Sequence, residues 1–246
     1  MLSPRPWKLE AVLRLMTGVL VCLLVGTLVT LLSARGGDSK SPPSINQVVV
    51  SALFLQGAAI VLVWRFVREH AITWSEGFGL RNAPARAVLL AAFAITVFLP
   101  MGWLLQHFSF SLLNYLDVEV TTQQAVQVLH NVGQGNALGL AAFALVTVVI
   151  APLGEELLFR GVLYPTIKRA GFPKLALWGS SILFAAIHLN LMIFLPLLLL
   201  ALILVWLYEQ TDNLIAPLAA HALFNAINLV QFFINGAPAA TPPVQQ

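Results

Sequence analysis

Uncharged apolar runs recur along nearly the whole of this sequence, and each stops at charged residues or at helix breakers. Ile193-Phe-Leu-Pro-Leu-Leu-Leu-Leu-Ala-Leu-Ile-Leu-Val-Trp206 is one such run. Runs of about 15 to 22 residues match the length that a helix needs to cross a hydrocarbon core of about 30 Å. An isolated run in lipid has to satisfy its backbone hydrogen bonds internally, so each is expected to be helical. Seven spans are predicted, at 13 to 33, 47 to 67, 86 to 106, 137 to 153, 175 to 189, 192 to 208 and 213 to 234. The expected fold is an all-α polytopic transmembrane helix bundle with about seven membrane helices, or eight if a short one lies within 107 to 136.

Composition agrees with this architecture. Of 246 residues, 59% are hydrophobic and 9% charged, against roughly a quarter charged in an ordinary soluble domain. That leaves no separate soluble catalytic domain and gives no sign of nucleic-acid binding. The first run, from Leu15 to Leu32, follows Arg5, Lys8 and Arg14 like a secretory signal. It exceeds the usual signal core of roughly 7 to 15 residues, so it is read as a retained helix. Cys22 is the sole cysteine and can form no internal disulfide.

The chain divides into N-terminal membrane helices with their loops (1–136), a second helical block (137–235) and an Ala/Pro-rich tail (236–246) expected to be disordered. In the connection from 107 to 136, residues Thr121 to His130 are expected to form a short surface helix. Short loops rich in Lys and Arg stay in the cytoplasm. With the N-terminus inside, Arg5, Lys8, Arg14, Arg65, Arg68, Arg81, Arg86, Lys168, Arg169 and Lys174 fall on the cytoplasmic side, and only Arg35 and Lys40 outside. The sequence is therefore read as a multi-pass integral membrane protein with a cytoplasmic N-terminus, and a bacterial inner membrane is the expected location. Glu155 is then expected near the cytoplasmic end of the fourth span.

Ionisable groups at membrane depth cost roughly 2.5 to 3.5 kcal/mol each on insertion scales, so they face the bundle interior and mark function. Three groups stand out. Gly154-Glu-Glu-Leu-Leu-Phe-Arg160 follows the fourth apolar run. If the helix continues, Glu156 and Arg160 lie four residues apart and pair, leaving Glu155 about a quarter turn away and free. Leu183-Phe-Ala-Ala-Ile-His188 ends the next run on a histidine. In the last span, Ala219-Ala-His221-Ala-Leu-Phe-Asn225 sets an imidazole and a carboxamide on one face. Each group alone has a bland explanation in headgroup contact or helix packing. Together they form a hydrolytic inventory: a carboxylate with a histidine takes a proton from water, and a histidine with an asparagine donates to a developing oxyanion.

These residues resemble the CAAX-protease and bacteriocin-processing (CPBP, or Abi) family of intramembrane endopeptidases. Its three motifs stand here as Glu155-Glu156-Leu-Leu-Phe-Arg160, Phe184-Ala-Ala-Ile-His188 and His221-Ala-Leu-Phe-Asn225, in the family's order. The resemblance covers about residues 140 to 230 and makes 137–235 the catalytic core. It implies a hydrolase, a protease in which Glu155 activates water, His188 positions that water, His221 and Asn225 form the oxyanion hole, and Glu156 paired with Arg160 organises the site. It also implies a substrate that is a membrane-associated protein or peptide, of the CAAX-processing or bacteriocin-processing kind. Zinc is the alternative cofactor, since histidines and carboxylates are zinc ligands. His-Glu-x-x-His is absent from the sequence, and a site requiring no cofactor is the favoured expectation. The competing function is a non-catalytic membrane immunity or scaffold protein of the same fold. The sequence does not determine the oligomeric state.

Overall fold

The computed structural model describes residues 2–34, 45–118 and 137–235. Among them the chain forms eight helices: α1 (Leu9–Ala34), α2 (Ile45–Glu69), α3 (Trp74–Phe78), α4 (Pro84–Tyr115), α5 (Ala137–Arg169), α6 (Pro173–Ala186), α7 (Leu191–Thr211) and α8 (Ile215–Asn235). No strand occurs among the described residues. Each of the seven apolar spans lies within a helix or overruns its ends by at most three residues. Six of the helices, α1, α2, α4, α5, α7 and α8, are long and apolar enough to cross a membrane. The remaining span is α6, whose 14 residues reach about 21 Å, short of a full hydrocarbon core. The helix expected at Thr121 to His130, the boundary at 136 and the 236–246 tail lie outside the described residues.

One expectation is corrected. The fourth span does not end near residue 153 with Glu155 at its cytoplasmic end. The helix runs on to Arg169, which puts Glu155 and Glu156 mid-helix, with about 20 Å of helix between Glu156 and Arg169. Pro152, Gly154 and the acids cut the apolar run short, yet the backbone remains helical, with each acid bonded through Oε1 to a side chain inside the bundle.

Helix α7 is central, packing against α4, α6 and α8, while α5 packs against α2, α6 and α8, and α1 lies on α2. Two apolar cores result. In one, Ala87, Ala91, Ala94, Ile95 and Phe98 of α4 meet Leu197, Leu200, Leu204 and Leu207 of α7 and Ala216 and Ala220 of α8. Small residues at the α4–α8 contact let the backbones come close, which is how helices associate in lipid without a hydrophobic driving force. In the other, Trp7, Ala11, Val12 and Leu15 pack with Val63, Phe66 and Val67 of α2, Phe78 of α3, and Leu157, Val162 and Tyr164 of α5.

The second core is closed at one end of the bundle by the extended segment that precedes α1. Arg5 is buried, forms an ion pair with Asp212 at 2.6 Å and donates from Nε to the Tyr208 hydroxyl at 3.1 Å. Arg169 donates to the Arg5 carbonyl at 2.7 Å, and Lys168 pairs with Glu209. Several of the cations that the sequence assigns to a single side of the membrane thus gather at this end.

Helix α3 is fixed there by a capping box. The Glu76 carboxylate accepts from the Thr73 amide at 2.8 Å, and the Glu76 amide donates to the Thr73 hydroxyl at 3.2 Å. The Thr73 amide and hydroxyl hold the exposed Glu76 carboxyl below its usual range. That contribution is present above the ordinary carboxylate pKa and is lost as pH falls through the lowered one.

Gly79 ends α3 at φ +69°, and a Cβ there would lie 1.8 Å from the Asp212 carbonyl oxygen. Gly171 also has positive φ, +94°, but with open space around it. Gly171→Ala should therefore cost about 1 kcal/mol of backbone strain, and Gly79→Ala about 2 kcal/mol more because the α3–α7 contact has to open. Thermal unfolding of the two variants in detergent measures the difference.

Candidate active site

Helix α5 is not regular. Its α-helical stretches Ala137–Leu145, Ala151–Glu156 and Tyr164–Arg169 are separated by two π-helical stretches, Val146–Ile150 and Leu157–Leu163. A proline follows each π stretch closely. At the first, the Ala151 amide donates to the Val146 carbonyl, five residues back, and Pro152 has no N–H to offer. The Thr147 carbonyl therefore loses both its α-type and its π-type donor. The Asn225 side-chain amide supplies one at 2.9 Å from α8. At the second, Pro165 cannot donate to the Gly161 carbonyl, and the Trp7 indole N–H does so at 2.8 Å. π turns of this kind are frequent at functional sites. Here each is held by a side chain from another part of the fold.

Between and within these stretches lies Gly154-Glu155-Glu156-Leu-Leu-Phe-Arg160, and the expected i, i+4 pair forms. Arg160 Nη1 donates to Glu156 Oε1 at 2.9 Å with both side chains essentially unexposed, 1% and 0%. Arg160 Nη2 donates to the Ala201 carbonyl of α7 at 3.2 Å. On the far side, Glu156 Oε1 also accepts from His221 Nδ1 of α8 at 2.9 Å. A cation, a carboxylate and an imidazole thus form one buried chain across α5, α7 and α8.

Glu155 is placed differently. Its side chain keeps 17% of its surface exposed, and its Oε2 lies 3.9 Å from His221 Nε2, beyond hydrogen-bond reach. Its other oxygen, Oε1, accepts from Gln56 Nε2 of α2 at 3.3 Å. Oε2, itself buried, has no hydrogen-bond partner among the described residues, and neither does Oε2 of Glu156.

Phe184 of α6 is the hub on the remaining side. Fully buried, its ring carries the Arg160 guanidinium 4.4 Å from the centroid and lies 5.6 Å from the His221 ring and 5.1 Å from that of His188. A guanidinium over an aromatic face is attracted by the ring quadrupole, most strongly where water is excluded. His188 lies just beyond α6, and its Nδ1 is 2.7 Å from the Phe184 carbonyl. A carbonyl can only accept, so Nδ1 carries the proton and Nε2 is left as an acceptor.

The structure therefore joins Glu156, Arg160 and His221 by direct polar contacts and sets Glu155 beside them. It links His188 to them through the Phe184 ring and Asn225 through the Thr147 carbonyl. Sequence reasoning did not single out Gln56. A lone carboxamide within an apolar helix was the available signal, but nothing in its spacing points to a helix about a hundred residues further on.

The fit to zinc was an open alternative. A catalytic zinc takes three protein ligands at about 2.0 to 2.2 Å. Of the candidate ligands, Glu156 is engaged otherwise, bonded to both Arg160 and His221 Nδ1. Among the described residues no three His, Cys, Asp or Glu side chains are grouped to hold one ion.

Fold and site together define a class: multi-pass helical membrane proteins with a buried carboxylate–arginine–histidine centre. Residues 137–227 match the family described as "Type II CAAX prenyl endopeptidase Rce1-like". The chain is 32% identical over 148 residues to the UPF0177 protein YxdF of Lactococcus lactis subsp. lactis (strain IL1403), covering 55% of this chain and 82% of that one. It is 35% identical over 85 residues to the uncharacterized protein YpbD of Bacillus subtilis (strain 168), covering 33% of this chain and 40% of that one. No solved structure matches. The chain belongs to the Rce1-like CAAX endopeptidase family, the CPBP family.

Removing one partner of a buried ion pair strands the other charge, at about 3–5 kcal/mol. Arg160→Met should lower stability by that amount. Arg160→Lys keeps the charge but loses the planar fork and the stacking on Phe184, and should fall between Met and wild type. Thermal unfolding in a single detergent ranks the three.

Proposed function

We propose that this protein is an intramembrane endopeptidase that hydrolyses a peptide bond in a membrane-associated protein or peptide, in CAAX-type or bacteriocin-type processing. One observation carries the reading: a partly exposed carboxylate with an unpartnered oxygen, Glu155, beside a buried histidine that a second, fully buried carboxylate holds in place.

The chemistry follows from which carboxylate water can approach. Glu156 is fully buried and bonded through Oε1 to Arg160 and His221, whereas the Glu155 side chain keeps 17% of its surface exposed, so Glu155 is taken as the carboxylate available to water. Glu155 Oε2 takes a proton from water as the water oxygen attacks the substrate carbonyl carbon, giving a tetrahedral intermediate with a negative oxygen. As the carbon–nitrogen bond breaks, the same proton goes to the leaving amine. His188, with Nε2 as acceptor, orients the attacking water. His221 donates Nδ1–H to Glu156, so its donation to the oxyanion requires a proton on Nε2 too, which is the imidazolium form between two carboxylates. Asn225 spends one amide hydrogen on Thr147 and keeps a second for the oxyanion. No metal takes part in this scheme. The proposed setting is a bacterial inner membrane with the N-terminus on the cytoplasmic face, a reading that the cations clustered at the Arg5 end support.

The test is cleavage of an internally quenched peptide ending in a farnesylated CAAX sequence, alongside its unlipidated form, by the purified protein in liposomes. Wild type should cleave, and Glu155→Gln should lower kcat by about 100-fold or more. A chelator such as 1,10-phenanthroline should leave the rate unchanged. Equal cleavage by wild type and Glu155→Gln would remove Glu155 from the mechanism. Loss of stability with no wild-type turnover on either peptide would favour the non-catalytic scaffold.

A further inference from the structure

From Ala52 to Val63, helix α2 carries a single polar side chain, Gln56, in a run of aliphatic, aromatic and glycine residues. A carboxamide buried in apolar surroundings is costly unless it is hydrogen-bonded. Its Nε2 is spent on Glu155 Oε1 at 3.3 Å. Its Oε1 lies over Gly154, the residue just before Glu155, where a Cβ would come within 2.3 Å of it. The carboxamide thus occupies space that exists because residue 154 has no side chain. α2 lies outside the 137–227 segment that matches the family, so this contact comes from the N-terminal half of the chain. Its consequence for Glu155 is asymmetry: one oxygen is held from α2, and the other, Oε2, has no partner and faces His221.

We infer that Gln56 is a positioning residue for Glu155, fixing the carboxylate through Oε1 so that the buried Oε2 is held toward His221, with Gly154 a glycine in order to admit it. The inference rests on the endopeptidase reading. A carboxylate free to rotate about its last bond would offer either oxygen in poor alignment, and misplacement of a catalytic group by about 1 Å costs on the order of 100-fold. Because the atom in the way at Gly154 is the end of a flexible side chain, Gly154→Ala should leave the fold intact and push Gln56 aside.

The experiment compares wild type, Gln56→Met, Gly154→Ala and the double variant on the farnesylated CAAX peptide. In parallel it follows the labelling of Glu155 by a hydrophobic carbodiimide, located by peptide mass spectrometry. Each single variant should lower kcat by about 10- to 100-fold with KM within about twofold. The double variant should be no worse than the poorer single, because both remove the same contact. Melting temperatures should remain near wild type, and Glu155 labelling should change by at least about threefold in every variant as Oε1 is released. Full kcat in Gln56→Met with wild type active would overturn the inference and leave the endopeptidase reading standing. A wild type that cleaves neither peptide would overturn that reading and the catalytic role of Gln56 with it. Unchanged labelling of Glu155 would overturn the positioning contact whatever the turnover.

Discussion

A carboxylate with no exposed surface in a bundle of apolar helices dictates the arrangement of its neighbours. Glu156 is that group. Desolvating an ion is expensive, and the interior returns the cost only through well-placed partners. Arg160 and His221 both reach Glu156 Oε1 at 2.9 Å, and Arg160 spends a further donor on the Ala201 carbonyl. Because these partners come from α5, α7 and α8, with Phe184 of α6 beneath the guanidinium, satisfying one charge fixes the relative placement of four helices. A buried pair of this type adds little net stability over an apolar substitute. Its value lies in specifying one arrangement, and in this fold that arrangement leaves the neighbouring Glu155 out of the buried pair and bonded to Gln56 instead.

Two adjacent glutamates with opposite fates answer to helix geometry. Successive residues on a helix point about a hundred degrees apart, so Glu156 and Arg160 share a buried face while Glu155 turns toward α2 and the partly exposed side. The π stretches on either side adjust the same helix. Each leaves a carbonyl that a nearby proline cannot satisfy, and each carbonyl is met from elsewhere, by Asn225 or by Trp7. α5 is thereby tied to α8 above the acids and to the N-terminal segment below them. Asn225, read from the sequence as an oxyanion donor, serves the backbone of α5 through its bond to the Thr147 carbonyl.

Much of this was legible in the sequence because it depends on local spacing. The apolar runs gave the helices, and the four-residue separations gave the Glu156–Arg160 pair and the shared face of His221 and Asn225. Hydropathy ended the fourth span at 153, because it registers Pro152, Gly154 and the acids as polar or helix-breaking without registering the partners that keep them helical. It did register that α6 is short, because the predicted run of 175 to 189 ends at His188 and Asn190, and the helix stops nearby at Ala186. The contacts that complete the site, Gln56 to Glu155, Trp7 to Gly161 and Arg160 to Ala201, join residues far apart in the chain. No periodicity encodes them; they follow from which helices the alanine and leucine faces bring together.

The account depends on the His221 ring being bonded to Glu156 through Nδ1. Solid-state NMR on the protein in liposomes, with ¹⁵N-labelled histidine and ¹³C-labelled glutamate, measures this through the dipolar coupling between the His221 ring nitrogens and the Glu156 carboxyl carbon. The predicted result is a protonated Nδ1 strongly coupled to that carbon, as a 2.9 Å nitrogen–oxygen contact requires. A His221 whose ring nitrogens show no coupling to Glu156 would contradict the account, because the buried carboxylate would then be held by Arg160 alone and α8 would have no polar tie to it.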